Sequence, residues 1–421
     1  MTIDAFEEFP EPMHGAQRAY NASLKLANTK GLDRSRGVLA MAQALMASFD
    51  DILEANTLDL EASRDMAVPE LIVDWLKLTP RRLEITVEIL QRLGELSDPM
   101  RRVRNTDYQL EDCQSYCQLM PLGTIAFIYE AFPELGAIAA GACIKTGNSI
   151  ILKGSTEASN SNAIITSVIQ SAALESGLPA GCIEFINPDS GASLRELIIQ
   201  DQYLNLVIPY GRPSLIQQVV KQSTVTVLKS AIGNCYLYWS LNGSLEMVRW
   251  MIIDSHKNEP DAVNAIEKVL INRHAMRSSL VTLWKSLIEK GFEVRGDAEL
   301  LEEFPKLKLA KDEEWGTPYL TKAVAFKLVD SLEEGITWIN KYSSCHADCI
   351  VTESYQESRQ FALGVNSAST YINASPRFSR IPSRGDAVFL GMSNQKGHRR
   401  GLINLESLTT VKHIVQGNGR F

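Results

Sequence analysis

The sequence predicts an α/β fold made of two doubly wound domains and a small β-extension. Three observations carry that prediction. From Gly123 onward, short apolar runs alternate with helical stretches, the pattern of a parallel sheet with right-handed crossovers. A second block of the same pattern follows from about Ala231. Two segments outside these blocks, 109–119 and 408–415, alternate apolar and polar residues as strands with one exposed face do.

The first hundred residues are helical. Ala16–Leu26, Arg36–Phe49 and Pro80–Leu96 each repeat apolar residues at steps of three and four. Thr79 before Pro80 is a helix start, with the hydroxyl as N-cap and proline at the first helical position. The 109–119 segment reads as a strand projecting from the body, followed by Pro121-Leu122-Gly123. The first block then places strands at Thr124–Tyr129, Ser149–Leu152, Cys182–Ile186, Leu204–Ile208 and Thr224–Leu228. Helices are expected between them at Leu135–Lys145, Ser159–Ser176, Ser193–Gln200 and Ser214–Gln222, with Gly147 and Gly177-Leu178-Pro179 as stop signals. The second block places strands at Tyr236–Trp239, Lys268–Ile271, Ala323–Leu328, Ala347–Val351 and Thr370–Ile372. Its helices are expected at Leu245–Ser255, Met276–Lys290, Leu332–Tyr342 and Tyr355–Val365. The 408–415 strand is expected to pair with 109–119 or with another subunit.

Bulk properties narrow the function classes. A chain of 421 residues with 45% apolar and 22% charged residues is an ordinary globular protein of two or three domains. The net charge of −8 argues against nucleic acid or an anionic membrane as the main partner. Met1 to Met13 is acidic and carries no basic residue, unlike a secretory or transit peptide. The longest apolar run, Leu135 to Ile144, is about half the ~20 residues that span a bilayer. A cytoplasmic protein is expected. Its cysteines (Cys113, Cys117, Cys143, Cys182, Cys235, Cys345 and Cys349) are odd in number and scattered, which suits a reducing compartment better than a disulfide framework. Cys345-His346-Ala347-Asp348-Cys349 has metal-like spacing but no second ligand pair nearby, so no metal is expected.

Several residues are candidates for binding. Lys153-Gly154-Ser155-Thr156-Glu157 follows a strand and precedes a helix, a natural place for an anion or a ribose. Lys153 could meet a 2′-phosphate and Glu157 a ribose; a solvated loop is the competing reading. No Gly-x-Gly-x-x-Gly occurs. A basic cluster (Arg377, Arg380, Arg384, Lys396, His398, Arg399, Arg400) stands out in an acidic chain and reads either as a phosphate-binding patch or as a solvated or subunit-facing surface. His256 and Asp261 lie near the second block's first helix; the histidine reads as a capping or surface group.

Two stretches, Pro121-Leu122-Gly123-Thr124-Ile125-Ala126-Phe127-Ile128-Tyr129-Glu130 and Lys145-Thr146-Gly147-Asn148-Ser149-Ile150-Ile151-Leu152, are followed in order by Gly177-Leu178-Pro179-Ala180-Gly181, Asn187-Pro188-Asp189 and Tyr371-Ile372-Asn373-Ala374-Ser375. With Leu78-Thr79-Pro80-Arg81-Arg82-Leu83, Gln395-Lys396 and Leu408-Thr409-Thr410, they resemble the gamma-glutamyl phosphate reductase (glutamate-5-semialdehyde dehydrogenase) family, a branch of the aldehyde dehydrogenase superfamily. The likeness runs through nearly the whole chain. It implies an aldehyde-dehydrogenase-like architecture: residues 1–230 as the cofactor-binding-type domain, 231–375 as the catalytic-type domain, and 376–421 as a return segment with a C-terminal oligomerisation strand. It also implies NADP as cofactor, proline biosynthesis as context, and a homo-oligomer formed through 109–119 and 408–415.

In that family a cysteine thiolate displaces phosphate from an acyl phosphate, and NADPH reduces the thioester. The residues matching 259–264 usually read Arg-Pro-Ser-Thr-Cys-Asn. Here they read Glu259-Pro260-Asp261-Ala262-Val263-Asn264, which puts Val263 at the nucleophile position. Valine has no lone pair to attack with. Where the family has Arg-Pro-Asn after Tyr-Glu-Ala, this chain has Phe132-Pro133-Glu134, losing a cation and an oxyanion donor. Where it has Arg-Gly-Gly, this chain has Tyr210-Gly211-Arg212; its paired glycines are Ser230 and Ala231, and its late Gly-rich run ending in Glu is Arg384-Gly385-Asp386-Ala387-Val388-Phe389. Cys235 is the nearest thiol and reads as a buried strand residue. The resemblance leaves Lys153, Glu157 and Gly211 as candidate cofactor contacts, with NADP binding itself in question. The leading expectation is a catalytically degenerate member that acts by binding a ligand, an active paralogue or a glutamate-kinase-like partner. An active NADPH-dependent dehydrogenase with an atypical site and a purely structural assembly protein are the alternatives.

Overall fold

The protein, seen in a computed structural model, is described over residues 11–106, 108, 113–188, 193–257, 262–275, 277–397, 399–417 and 419. The chain divides into two compact units. One comprises Met1–Ser230, Arg380–Leu390 and Ile403–Phe421; the other comprises Ala231–Ser379 and Gly391–Leu402.

The first unit opens with helices α1 (Glu11–Leu26), α2 (Gly31–Ala47), α3 (Phe49–Asp65), α4 (Glu70–Leu76) and α5 (Pro80–Glu95). Thr79 caps α5 as expected, its hydroxyl accepting from the Arg82 N–H at 3.2 Å. Helices α3 and α4 were not expected from periodicity, and the reason lies in what α3 buries. Besides Ile52, its inward face carries Asn56, Asp59 and Ser63. Asn56 bonds the Leu78 N–H, and Asp59 accepts from the backbone of Asn160 and Ser161, so hydrogen bonds replace apolar contacts there.

After β1 (Val103–Asn105) and β2 (Cys113–Pro121), the unit continues with β3 (Thr124–Tyr129), α6 (Glu134–Lys145), β4 (Ser149–Lys153), α7 (Ser159–Glu175), β5 (Ile183–Phe185), α8 (Leu194–Ile198), β6 (Leu206–Gly211), α9 (Pro213–Gln222) and β7 (Ser230–Ala231). Strands run in the order β5-β4-β3-β6-β7, and β3 pairs in parallel with both β4 and β6. Every residue of β3 and β4 is buried, as a parallel sheet covered on both faces requires. The expected strand Thr224–Leu228 does not form; only a single bridge joins Val227 to Val207. The Ser223 hydroxyl takes the Val225 N–H, and the Thr224 N–H goes to the Ile198 carbonyl, so those donors are lost to a ladder.

The second unit contains β8 (Cys235–Trp239), α10 (Leu245–Ser255), β9 (Ile266–Asn272), α11 (Arg277–Glu289), β10 (Glu293–Gly296), α12 (Ala298–Glu303), β11 (Lys308–Leu309), β12 (Ala323–Val329), α13 (Leu332–Tyr342), β13 (Ala347–Val351), α14 (Tyr355–Gly364) and β14 (Ser369–Ile372). Its sheet has the order β11-β10-β12-β9-β8-β13-β14 and is parallel. One face packs on α10 and α11 through Val248, Met251, Leu280 and Leu283; the other packs on α13 and α14 through Ile339 and Phe361. Strands β10 and β11 and helix α12 were missed because they are short. The return segment adds a two-stranded ladder, β15 (Gly391–Ser393) with β16 (Gly401–Ile403), and then β17 (Thr409–Gly417).

Strand β17 pairs antiparallel with β2 of its own chain, from Thr409 opposite Pro121 to Gly417 opposite Cys113. That decides between the two partners expected for the tail. Residues 109–112 of the expected 109–119 strand lie outside the described residues. No helix among the described residues is long and apolar enough to cross a membrane.

Candidate functional site

The carboxyl ends of β3, β4 and β6 bring together most of the candidate residues of the first unit. Glu130 directly follows β3, and its N–H donates to the Tyr210 carbonyl at 3.0 Å. Its carboxylate accepts three hydrogen bonds from Arg212: the backbone N–H at 2.9 Å, Nε at 3.0 Å and Nη2 at 2.5 Å. Those bonds raise the pKa of the Arg212 guanidinium, with Glu157 adding a smaller favourable field. Ala131 follows at φ +53°, a left-handed conformation unusual for a residue other than glycine, and its N–H meets the Ser155 hydroxyl at 3.3 Å.

Phe132 is fully buried. It stacks on Trp75 with ring centroids 4.9 Å apart and meets Tyr210 edge-on at 5.8 Å. Residue 132, where the resemblance implies a cation, is thus occupied by aromatic packing. Glu134 opens α6, and its Oε1 accepts from Nε and Nη2 of Arg82 at 3.0 and 2.5 Å. Arg82 also binds the Trp75 and Lys77 carbonyls, which fixes its fork. The second carboxylate oxygen of Glu134 is buried without a hydrogen-bond partner. Such an oxygen accepts; it has nothing to donate to a developing negative charge.

The cofactor candidates sit as follows. Lys153 ends β4, is buried, and has its amine pKa pulled down by that burial. Glu157 is half-buried in the turn before α7. Gly211 ends β6 at φ +149°, and a side chain there would begin 2.8 Å from the Glu130 Cβ. Its freedom is thus used by Glu130. Phe389 is half-buried in the return segment, where its N–H bonds the Arg380 carbonyl; Arg380 Nη2 reaches the Tyr210 hydroxyl at 3.0 Å. Sequence reasoning gave neither Arg82 nor Arg212 a role. The available signal was the reshuffling of cations, with arginines absent at 132 and 210 and one present at 212.

In the second unit, Val263 lies just before β9 and is fully buried. Its carbonyl accepts the Gly233 N–H at 2.8 Å. Gly233 is hemmed in: a Cβ there would lie 2.8 Å from Cys235 Sγ, 3.0 Å from the Val263 oxygen and 3.1 Å from the His346 Cβ. Cys235 has its thiol pKa pushed far up, first by burial and then by the nearby Asp348 carboxylate, so it is held as the unreactive thiol. His256 is buried at the end of α10 against Phe292 instead of lying on the surface. Burial lowers its pKa to about 4, so its ring is neutral. Asp261 and His398 lie outside the described residues. Asp348 accepts from Ser343, Ser367 and the Tyr236 N–H, which engages the one carboxylate of the Cys-His-Ala-Asp-Cys run. No group of three or more potential metal ligands occurs among the described residues.

Comparison with known proteins decides the family. The aldehyde dehydrogenase family profile matches residues 8–233. The chain is 54% identical over 403 residues to gamma-glutamyl phosphate reductase 2 of Synechocystis sp., covering 96% of each protein. The chain belongs to the gamma-glutamyl phosphate reductase family. A second relative, the gamma-glutamyl phosphate reductase of Gloeobacter violaceus, is 41% identical over 405 residues, again covering 96% of each. The crystal structure of gamma-glutamyl phosphate reductase from Thermotoga maritima superposes with a TM-score of 0.88 at 32% identity, covering 98% of this chain and 100% of that one. An acetylating aldehyde dehydrogenase from Geobacillus thermoglucosidasius shares the fold at a TM-score of 0.70 and 14% identity. These likenesses establish the aldehyde-dehydrogenase-like α/β fold.

The residues that would hold the nicotinamide dinucleotide implied by the family resemblance, Lys153, Glu157 and Gly211, stand at or just after the ends of β4 and β6, where the Arg212 donors are engaged by Glu130.

Proposed function

We propose that this member of the gamma-glutamyl phosphate reductase family has kept the scaffold, lost thiolate-mediated hydride transfer, and acts by binding. The observation that carries this reading is Val263, a fully buried aliphatic side chain at the position matched to the nucleophilic cysteine. Reducing an acyl phosphate through a thioester needs a group that can attack carbon, expel phosphate and accept hydride on the adduct. Removing a nucleophile alone costs on the order of 10⁶ in turnover in well-studied hydrolases. Cys235 is no substitute, because its thiol is buried and its pKa raised. The environments of the residues after β3 support the same reading: Glu134 is paired to Arg82 and Phe132 is packed on Trp75.

The bound partner belongs to the same metabolic setting, proline biosynthesis in the cytoplasm: a gamma-glutamyl metabolite, an active paralogue, or a glutamate-kinase-like protein. Self-association through the exposed face of β17 is part of the proposal. The competing reading, an active reductase with an atypical site, draws on the 54% identity to a protein named gamma-glutamyl phosphate reductase 2.

One assay separates the two. Purified protein is mixed with glutamate-5-semialdehyde, phosphate and NADP⁺, and absorbance of the reduced nicotinamide is followed. The expected result is no turnover above a heat-denatured control, and none from Val263→Cys. Turnover by the parent chain overturns the proposal; recovery in Val263→Cys shows that the other changes do not matter.

A further inference from the structure

Residue 212 is glycine in the pattern that the resemblance implies and arginine here. It directly follows β6, beside β3, the strand from which the chain goes to β4 and β5 on one side and to β6 and β7 on the other. In open α/β sheets a ligand binds outside the carboxyl ends of the strands at such a switch point. A guanidinium carries N–H donors on all three of its nitrogens. Glu130 takes one from Nε and one from Nη2, which leaves both donors of Nη1 unengaged. The buried carboxylate thus anchors the arginine, whose side chain stays 37% exposed. The following helix, α9, starts at Pro213, and the N–H groups of Ser214 and Leu215 donate to nothing among the described residues. Bonding resumes at Ile216, whose N–H reaches the Arg212 carbonyl at 3.3 Å.

A helix start is by itself a weak sign of a ligand; Lys153 is an independent one. It ends β4, is only 9% exposed, and among the described residues makes no hydrogen bond or ion pair. A buried ammonium without a partner is costly, and an anion beside it would offset that cost. Side chains alternate along a strand, so Lys153 lies on the same side of the sheet as Ile151. Ile151 packs in the cluster that contains Val219 of α9. The ammonium and α9 therefore stand on one side of the sheet, with Lys153 at its carboxyl edge. Glu157, half-buried just after β4, is close enough to add to the field at Arg212. A carboxylate accepts hydrogen bonds, so it suits the hydroxyls of a sugar and not a phosphate.

Cations at the ends of the two strands that flank β3, with a carboxylate nearby, fit the phosphates and the sugar of a nucleotide. We propose that Arg212 is a further specificity-determining residue of this crevice: anchored by Glu130, it gives its free Nη1 donors, together with the Ser214 and Leu215 N–H groups, to the diphosphate of a nucleotide. By neutralising the Glu130 carboxylate it also makes the crevice more favourable to a polyanion than glycine at residue 212 would. The inference concerns binding and does not rest on the loss of the nucleophile.

The test is calorimetric titration with NADPH, without substrate, alongside inorganic pyrophosphate. The parent chain is expected to saturate with NADPH below about 100 μM and to bind pyrophosphate about tenfold more weakly or less. Arg212→Gly removes the donors and leaves the Glu130 carboxylate facing the phosphate, so NADPH affinity is expected to fall about tenfold or more. Arg212→Gln, which keeps side-chain bulk without the charge, is expected to fall in the same direction. Circular dichroism identifies the variants that are folded. No saturation of the parent below about 1 mM overturns the inference. An unchanged or higher affinity in either folded variant overturns it too, as does pyrophosphate binding as tight as that of NADPH. Failure of the parent to bind NADPH refutes this inference alone and leaves the proposed function standing; turnover by a parent that binds NADPH refutes the proposed function alone.

Discussion

Replacing Glu134 by glutamine tests whether this carboxylate is a fixed part of the interior or a group offered to a ligand. Its Oε1 takes two hydrogen bonds from Arg82, and the two side chains are 16% (Arg82) and 12% (Glu134) exposed. An open-surface pair contributes about 0–1 kcal/mol, and breaking a fully buried one costs about 3–5 kcal/mol. This pair lies between those limits and nearer the buried one. The glutamine oxygen can keep one bond to Arg82, so the expected loss is about 2 kcal/mol. The assay is urea unfolding of the parent, Glu134→Gln, Arg82→Met and the double variant. Hydrogen exchange of peptides covering 80–95 and 134–145 reports on these helices separately from the second unit. A coupling of about 1.5–2 kcal/mol is expected from the cycle. A coupling below about 0.5 kcal/mol would refute the reasoning, because Glu134 would then be free for a ligand.

Three further predictions concern other residues. Burial raises the Asp348 pKa from 3.8 to about 6 and lowers that of His256 from 6.5 to about 4, so their contributions oppose each other in mildly acidic solution. Native Asp348 holds a proton there that the unfolded chain has released, so its contribution is lost as pH rises through about 6. Native His256 lacks a proton that the unfolded chain has bound, so its contribution is lost as pH falls from about 6.5 toward 4. Asp348→Asn and His256→Gln should therefore tilt the stability profile between these pH values in opposite directions; parallel profiles would contradict this. Gly211→Ala should destabilise by about 1–3 kcal/mol in thermal unfolding, because it forces a strained φ and pushes on Glu130; a change within about 0.5 kcal/mol would show that the glycine is not needed there. Native-state titration with a thiol reagent should leave Cys235 and Cys349 unmodified, since both are buried with raised pKa; rapid labelling of Cys235 would reopen the search for a nucleophile.

Much of the fold was legible because its signals are local. β3 and β13 follow from continuous apolar runs bounded by turns, and the start of α5 follows from Thr79 before Pro80. α3 was illegible because its inward Asn56 and Asp59 are satisfied by residues 20 and 102 positions away. The candidate site divides in the same way. Val263 could be picked out from its neighbours in sequence. The fate of Glu134 could not, because it depends on Arg82, 52 residues earlier.

By itself the sequence determined the α/β class, the strand–helix order, the family, and the absence of a nucleophile at residue 263. These depend on side-chain periodicity and residue identity, which the chain carries locally. Only the tertiary structure decided that β17 pairs with β2, that Phe132 is packed on Trp75, and that Glu130 is held by Arg212. Each is a contact between residues distant in the chain. Whether a charged or aromatic side chain faces a ligand or its own protein depends on what the fold places opposite it.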